Sequence, residues 1–99
     1  MNMQAIMKQA QKMQKDIMKE QDEIQKMEFI EENSQVLVKA NGKKEIIEIK
    51  FKCDETLDSD DIEMLQDSVM VIINNLFKKI DKESEKRMSK YGNGLNGLF

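Results

Sequence analysis

Apolar residues recur every three or four positions through the first quarter of the chain, which is the period of one face of an α-helix. This stripe predicts a long helix over residues 3–27, where the good helix formers Ala, Met, Lys, Gln and Glu dominate. Only Glu20 interrupts the stripe. Its apolar members are Met3, Ile6, Ala10, Met13, Ile17, Ile24 and Met27. A stripe of this length requires an apolar surface to pack against along more than three heptads.

The period changes to two further along the chain, as in a strand with one buried face. Val36, Val38 and Ala40 alternate with other residues, and Asn41-Gly42 follows them directly. Asn-Gly is the strongest short hairpin signal, because both residues tolerate positive φ in a type I′ turn. The sequence therefore predicts a hairpin at this point, and Phe29-Ile30 suggests a short strand before it.

A two-residue turn at Asn41-Gly42 fixes which residues of the hairpin face each other. It predicts that Val36 faces Ile47 and that Val38 faces Glu45. The returning strand is predicted to carry one apolar face, formed by Ile47, Ile49, Phe51 and Cys53.

Residues 54–67 carry seven acidic side chains and no basic one. Their spacing lacks the alternation and central glycine of a calcium-binding loop. Acids in a first helical turn complement the positive end of the helix dipole, so we interpret the run as the start of a helix capped by Ser59 or Asp60. This helix is predicted from about Asp60 to Lys90. Its buried stripe is Ile62, Leu65, Val69, Ile72, Ile73, Leu76 and Ile80.

These elements predict an α+β fold with a long N-terminal helix, a small antiparallel sheet and a long C-terminal helix. A single α-β-α domain is predicted over residues 1–91, followed by a flexible glycine-rich tail over residues 92–99. A helix of about 25 residues is about 37 Å long, whereas a strand of six or seven residues spans only about 20–23 Å. One small sheet cannot cover both helices, so we predict a homodimer, the commonest oligomer. The predicted interface residues are Met3, Ile6, Met13, Ile17, Val69, Ile72, Ile73 and Leu76.

The residues that could carry chemistry are few. The chain has no histidine, and Cys53 is its only cysteine, which excludes the usual zinc sites and a Cys-His nucleophile. Cys53 is predicted to be a buried strand thiol. The sequence has no phosphate-cradling glycine loop and no cofactor motif, so we expect neither an enzyme nor a cofactor. No apolar run approaches the ~20 residues of a membrane span, and we expect a cytoplasmic protein without a membrane partner.

Lysines form a second stripe on the first helix. Four of them are spaced by four, three and four residues, which places them on the face opposite the apolar stripe. A second basic cluster lies in residues 78–90. Lysines without aromatic platforms suit phosphate contact more than base readout, so if these faces bind nucleic acid, we expect duplex DNA held through its backbone. The alternative is a solvated polar face. The predicted DNA contacts are Lys8, Lys12, Lys15, Lys19, Lys79, Lys82, Lys86, Arg87 and Lys90.

Four segments of the chain resemble the YbaB/EbfC family of bacterial nucleoid-associated proteins. "MKQAQKMQKDIMKEQDEIQ" is similar to the first helix of that family, and "VLVKANGKKEIIEIKF" is similar to its central hairpin. "LDSDDIEMLQDSVMVIINN" is similar to the acidic start and core of its last helix, and "GNGLNGLF" is typical of its C-terminal end. The resemblance implies an α-β-α protomer, a tightly intertwined homodimer with projecting helices, and DNA binding. It also implies roles in nucleoid organisation and gene regulation.

Two positions depart from the family pattern. Family members commonly carry a glycine-rich loop before the hairpin, where this chain has "EENS", and their usual Asn-Asp pair is Asn74-Asn75 here. Neither departure touches the lysine stripe of the first helix. A second hypothesis from another class is a cytoplasmic protein-interaction scaffold that docks a partner through its Met-rich helix, without physiological DNA binding.

Overall fold

The protein folds as a helix, a three-stranded sheet and a second helix, in a computed structural model that describes residues 2–53 and 56–92. This order confirms the predicted α+β class. Most of the predicted tail, residues 93–99, lies outside the described residues. The elements are α1 (Met3–Lys26), β1 (Glu28–Glu32), β2 (Val36–Asn41), β3 (Ile46–Phe51), α2 (Ser59–Met88) and a 3-10 turn (Ser89–Tyr91).

Helix α1 is attached to the rest of the protomer near its C-terminal end. It begins at Met3 because Asn2 caps it, with the Asn2 Oδ1 atom accepting a hydrogen bond from the Gln4 amide at 3.0 Å. Ile24 is its only buried residue. The N-terminal half therefore projects along the long axis of a protomer that measures 72 × 20 × 15 Å. The predicted end at residue 27 is correct to within one residue.

The short strand suggested by Phe29-Ile30 is present as β1, and it pairs antiparallel with β2. The turn between them is closed by Asn33, whose backbone amide donates to the Val36 carbonyl at 3.0 Å. The Asn33 side-chain oxygen accepts from the amides of Gln35 and Val36 at 2.8 and 2.9 Å. Because the Asn33 side chain accepts these hydrogen bonds from the turn's own amides, the turn forms without a glycine-rich loop.

The predicted register of the second hairpin is wrong by four residues. Val38 pairs with Ile49 and not with Glu45, and Val36 pairs with Phe51 and not with Ile47. The turn is a three-residue loop, in which the Asn41 amide donates to the Glu45 carbonyl at 3.0 Å. The longer loop accounts for three residues of the shift. A β-bulge beside Ala40, which pairs with Ile46, accounts for the fourth.

Gly42 is required in this loop by a close approach and not by a left-handed backbone. Positive φ occurs instead at Lys44, with φ of 63°, as expected where a three-residue hairpin loop ends in a left-handed residue. A Cβ atom on Gly42 would lie 1.8 Å from the carbonyl oxygen of Ile24. The β2–β3 loop therefore packs directly on the last turn of α1.

The core lies between α2 and the first two strands. Its buried side chains are Phe29, Val36, Val38, Ala40, Ile72, Leu76 and Ile80, with Met27, Val69, Ile73 and Phe77 partly buried around them. The alternating residues of β2 and the 3–4 stripe of α2 face this layer, as predicted, except that Ile62 is 47% exposed. All seven buried residues of this cluster come from β1, β2 or α2.

Strand β3 continues the inner face of the sheet but is left exposed. Ile49 and Phe51 lie directly opposite the buried Val38 and Val36, and directly paired residues project to the same side of a sheet. Even so, Ile49 and Phe51 remain 45% and 52% exposed. Cys53, predicted to be buried, is exposed. Among residues 2–53 and 56–92, nothing covers this face, so β3 is an apolar edge strand there.

The N-cap of α2 lies one residue before the first predicted cap position. Asp58 is the N-cap, and its side chain accepts a hydrogen bond from the Asp61 amide at 2.8 Å. The Asp61 carboxylate accepts one from the Asp58 amide at 3.2 Å, which completes a capping box. The acids therefore start the helix, as predicted, with Asp58 in the role expected of Ser59 or Asp60.

Candidate nucleic-acid interface

The lysine stripe of α1 lies on the part of the helix that projects from the sheet. All four ammonium groups are exposed. Within residues 2–53 and 56–92, none of these lysines pairs with a carboxylate. Four uncompensated positive charges on one exposed helical face attract a polyanion. The stripe consists of Lys8, Lys12, Lys15 and Lys19.

Helix α2 carries a second lysine row in its C-terminal half. Lys78, Lys82 and Lys86 follow one another at intervals of four residues, which places them on one helical face. They line a shallow groove of about 510 Å³ with Asn75, Lys79, Glu31 and Glu83. None of the three lysines in this row is in an ion pair with a carboxylate of the described residues. Lys82 and Lys86 were predicted DNA contacts, and Lys78 extends their row by one turn.

Lys79, also a predicted DNA contact, is held by the sheet. Its Nζ atom donates to the carbonyl oxygen of Ile30 at 2.7 Å and lies 3.2 Å from a carboxylate oxygen of Glu31. These two contacts join the middle of α2 to β1. Lys79 thus differs from its neighbours in the groove, because its charge is already matched within the protomer.

The last two predicted contacts, Arg87 and Lys90, meet on the carboxylate of Glu20. Arg87 Nη1 lies 3.0 Å from Glu20 Oε1, and Lys90 Nζ lies 2.8 Å from Glu20 Oε2. Arg87 also donates through Nε to Glu83 at 3.0 Å and lies 3.6 Å from Glu23. The Glu20 side chain is only 15% exposed. We call Glu20, Arg87 and Lys90 the junction triad, because they join α1 to the end of α2.

The charges of the junction triad stabilise one another. A hydrogen bond from Lys90, and then one from Arg87, lower the pKa of Glu20 below its ordinary value of 4.5, although partial burial opposes this shift. The hydrogen bond to Glu20 raises the pKa of Lys90 above 10.5. All three groups are therefore charged near neutral pH.

The predicted interface residues fall into two groups in the structure. Ile72 and Leu76 are buried in the core of the protomer, with 4% and 0% exposure, and Val69 and Ile73 pack against the same core. These four residues have partners within the protomer. The second group lies on α1, where Met3, Ile6 and Met13 are exposed and Ile17 is half-buried.

Two features of the site were not predicted from the sequence. The exposed inner face of β3 was missed because the register depends on the loop and the bulge. The junction triad was missed although its signals were present: Glu20 is the single acid in the apolar stripe, and Arg87 is the single arginine of the chain. In the structure, the acid at the seam position and the single arginine near the helix end form one specific ion pair.

Neither a metal site nor a membrane span emerges from the described residues. They contain no group of three or more Cys, Asp or Glu side chains placed to hold a metal ion. None of their helices combines the length and the apolar character needed to cross a bilayer.

The sequence of the whole chain places it among known proteins. A model of the YbaB/EbfC DNA-binding family matches residues 1–95. The chain belongs to this family. A nucleoid-associated protein of Clostridium novyi is 45% identical to it over all of this chain and 90% of its own length. Nucleoid-associated proteins of Ligilactobacillus salivarius and Oceanobacillus iheyensis are 41% and 43% identical, each over 99% of this chain and 95% and 97% of their own lengths.

Family membership bears on two of the predictions. The resemblance read from the four sequence segments is confirmed over nearly the whole chain. The family is one of DNA-binding proteins and is not enzymatic, in agreement with the prediction that the protein is not an enzyme.

Proposed function

We propose that the protein is a nucleoid-associated protein that binds duplex DNA as a homodimer, mainly through phosphate contacts. Its location is the nucleoid, within the cytoplasm, and its roles are nucleoid organisation and gene regulation. The observation that carries the proposal is the exposed lysine stripe on the projecting half of α1, which forms no ion pair among the residues that the structure describes. Family membership and the names of the relatives support the same conclusion.

The chemistry of the basic faces favours backbone contact over base recognition. Lysine ammonium groups act as point charges on phosphates, whereas specific base contacts more often use Arg, Asn or Gln. The stripe on α1 and the row Lys78, Lys82 and Lys86 on α2 both consist of lysine alone. We therefore expect weak sequence preference and a steep loss of affinity with salt.

Apolar surface that the described part of the chain leaves exposed supports the homodimer. Ile49 and Phe51 on β3 and the methionines of α1 are exposed in the protomer. A 24-residue α1 is about 36 Å long, more than a strand of six residues can cover. A second copy of the chain is the occupant that also presents two lysine stripes to one DNA duplex.

DNA binding is tested by measuring the affinity for a duplex of ~30 base pairs across a salt series. We expect log Kd to rise with log salt by about 0.9 for each neutralised phosphate. Changing Lys8, Lys12, Lys15 and Lys19 to glutamine should then weaken binding and flatten the slope. An unchanged affinity and slope would exclude the α1 face. The control changes two other exposed lysines to glutamine, Lys43 in the β2–β3 loop and Lys50 in β3.

The homodimer is tested by sedimentation at about 10 μM protein. We expect a dimer, and we expect Ile49→Ser to shift it toward monomer, because Ile49 lies on the uncovered inner face of the sheet. Ile30→Ser is the control: Ile30 is equally exposed, at 45%, but alternates with the buried Phe29 and lies on the outer face. A wild-type protein that sediments as a stable monomer would refute the dimer.

The scaffold hypothesis is the second candidate, and the exposed methionines of α1 favour it. Met3, Met7, Met13 and Met18 are 45–70% exposed, and flexible methionines are common on surfaces that bind several partners. Under this hypothesis the wild-type protein shows negligible DNA binding at physiological salt, and a protein partner co-purifies with it from cell extract.

A further inference from the structure

The basic residues at the end of α2 divide into two groups by their contacts. Lys82 and Lys86 are exposed and lie in the row that lines the groove. Arg87 and Lys90 share the carboxylate of Glu20 through contacts of 3.0 and 2.8 Å. Charges that are already matched gain less from a DNA phosphate, because each must first leave a carboxylate that it contacts directly.

The position of Glu20 along α1 gives its contacts a particular consequence. It lies one turn before Ile24, the only buried residue of α1, and directly after Lys19, the last member of the lysine stripe. In the described structure, Ile17 and Gln21 are the only other residues of α1 that are not fully exposed. The direction in which the projecting lysine stripe points is therefore set largely at the junction triad and the contacts around Ile24.

Arg87 suits this role through its geometry as much as its charge. Its guanidinium donates to Glu83 on its own helix through Nε and to Glu20 on α1 through Nη1. A planar fork that binds two carboxylates at once holds them at a fixed angle, which a lysine cannot do. Glu83 lies one turn before Arg87. Its hydrogen bond from Nε holds the Arg87 side chain in the rotamer that reaches Glu20.

We propose that Glu20 is a positioning residue for DNA binding: it engages Arg87 and Lys90 to fix α1 against the end of α2, and these two cations therefore orient the α1 lysine stripe instead of contacting phosphates. This inference rests on the proposed DNA-binding function. It assigns direct phosphate contact at the end of α2 to the row Lys78, Lys82 and Lys86.

The test compares DNA affinity across a salt series for the wild type and four variants, each checked for folding by circular dichroism. Glu20→Gln removes the acceptor charge and keeps the shape of the side chain. Asp16→Asn is its matched control, because Asp16 lies one turn earlier on α1 and is in no ion pair within the described part of the chain. Arg87→Lys keeps the charge but removes the fork. Lys82→Gln removes a predicted phosphate contact.

A positioning role predicts that Glu20→Gln weakens binding although it makes the protein less negative. Each phosphate contact contributes about 0.9 of a decade in affinity at 0.1 M salt relative to 1 M, so at 0.1 M salt the loss of one or two lysine contacts should weaken binding about eightfold to sixtyfold. Asp16→Asn should leave affinity equal or slightly higher. Arg87→Lys should weaken binding to a similar degree as Glu20→Gln, and Lys82→Gln should lower the salt slope by about 0.9.

Other outcomes overturn the inference. If Glu20→Gln binds as tightly as the wild type or more tightly, and Arg87→Lys is neutral, then the two cations contact phosphates directly and Glu20 merely competes for them. In that case the proposed function stands. If the wild type shows no salt-dependent binding, the proposed function and this inference fail together. If Glu20→Gln does not fold, the comparison of Arg87→Lys with Lys82→Gln decides between the two roles.

Discussion

Arg87, the only arginine of the chain, donates a hydrogen bond across 3.0 Å to Glu20, the only acid in the apolar stripe of α1. The two residues are 67 positions apart in the sequence. Their contact joins the first helix to the last and explains why a polar residue occupies a seam position. Because Lys90 shares the same carboxylate, one glutamate organises both cations at the end of α2.

The first prediction concerns stability in acid. The hydrogen bonds from Lys90 and Arg87 lower the pKa of Glu20 in the folded protein, below the ordinary 4.5 that applies when the chain is unfolded. Its contribution to stability is therefore complete above pH 4.5 and is lost as the pH falls through the folded-state pKa. Thermal unfolding should show the wild type more stable than Glu20→Gln at pH 7, with the difference closing in acid.

Asp16→Asn serves as the control for this acid profile. Asp16 has no ion-pair partner among the described residues, so its replacement should lower stability at pH 7 much less than Glu20→Gln does. A Glu20→Gln variant whose loss of stability is the same at pH 7 and at low pH would contradict the role assigned to the carboxylate.

The second prediction concerns Gly42. A methyl group at this position would lie 1.8 Å from the Ile24 carbonyl oxygen and 2.9 Å from the Gln25 Cα atom, so the loop or the end of α1 must shift. We expect Gly42→Ala to lower the free energy of unfolding by about 1–3 kcal/mol, the usual cost of overpacking. Urea unfolding measures the loss, with Lys43→Ala in the same loop as a control expected to change it by less than about 0.5 kcal/mol.

Gly42 and Lys44 show what the sequence could and could not reveal about the fold. The helices and the strand order follow from periodicity, which is a local property of the chain. The Asn-Gly pair lies at the start of the loop between β2 and β3, but this loop also packs against Ile24, a residue distant in sequence that no local pattern includes. An error in the register changes the predicted partner of every later residue in the strand. The exposed face of β3 could not be predicted for this reason.

The candidate site was predictable to a similar extent. Charge spacing identified both basic regions, because lysines at intervals of three and four share a helical face. It could not tell Lys82 from Arg87, since only the folded chain brings Glu20 next to Arg87 and leaves Lys82 in the open row. Long-range ion pairs are set by the crossing of α1 and α2, which no local pattern specifies.

The third prediction tests the loop geometry through Lys44. Its φ of 63° places it in the left-handed region, which costs a residue with a Cβ atom about 1–2 kcal/mol. Lys43 is next to it and has no positive φ. Chemical unfolding should therefore find Lys44→Gly more stable than Lys43→Gly by about 1 kcal/mol, since both variants gain the same flexibility when unfolded.

The ion pair between Lys44 and Asp81 requires a correction to this comparison. An exposed pair contributes about 0–1 kcal/mol, and Asp81→Asn measures its share separately. If Lys43→Gly remains the more stable variant after that correction, the left-handed residue is not Lys44, and the two-residue turn at Asn41-Gly42 regains support.

The last prediction separates the core of the protomer from the surface offered to a second copy. Leu76 is fully buried between α2 and the sheet, so Leu76→Ala should lower the free energy of unfolding by about 2–5 kcal/mol. Val71, on the same helix and 53% exposed, is the control, and Val71→Ala should have a far smaller effect on the protomer. Urea unfolding at several protein concentrations measures both.

Concentration distinguishes the two roles of an apolar residue in this experiment. Truncating a residue that packs within one protomer lowers the free energy of unfolding by the same amount at every protein concentration. Truncating a residue between copies affects stability through the association step. The loss from Leu76→Ala should therefore stay constant on dilution, and the loss from Ile49→Ser should depend on protein concentration. If Leu76→Ala lowered stability only through the association step, Leu76 would lie in the dimer interface, as its sequence pattern predicted.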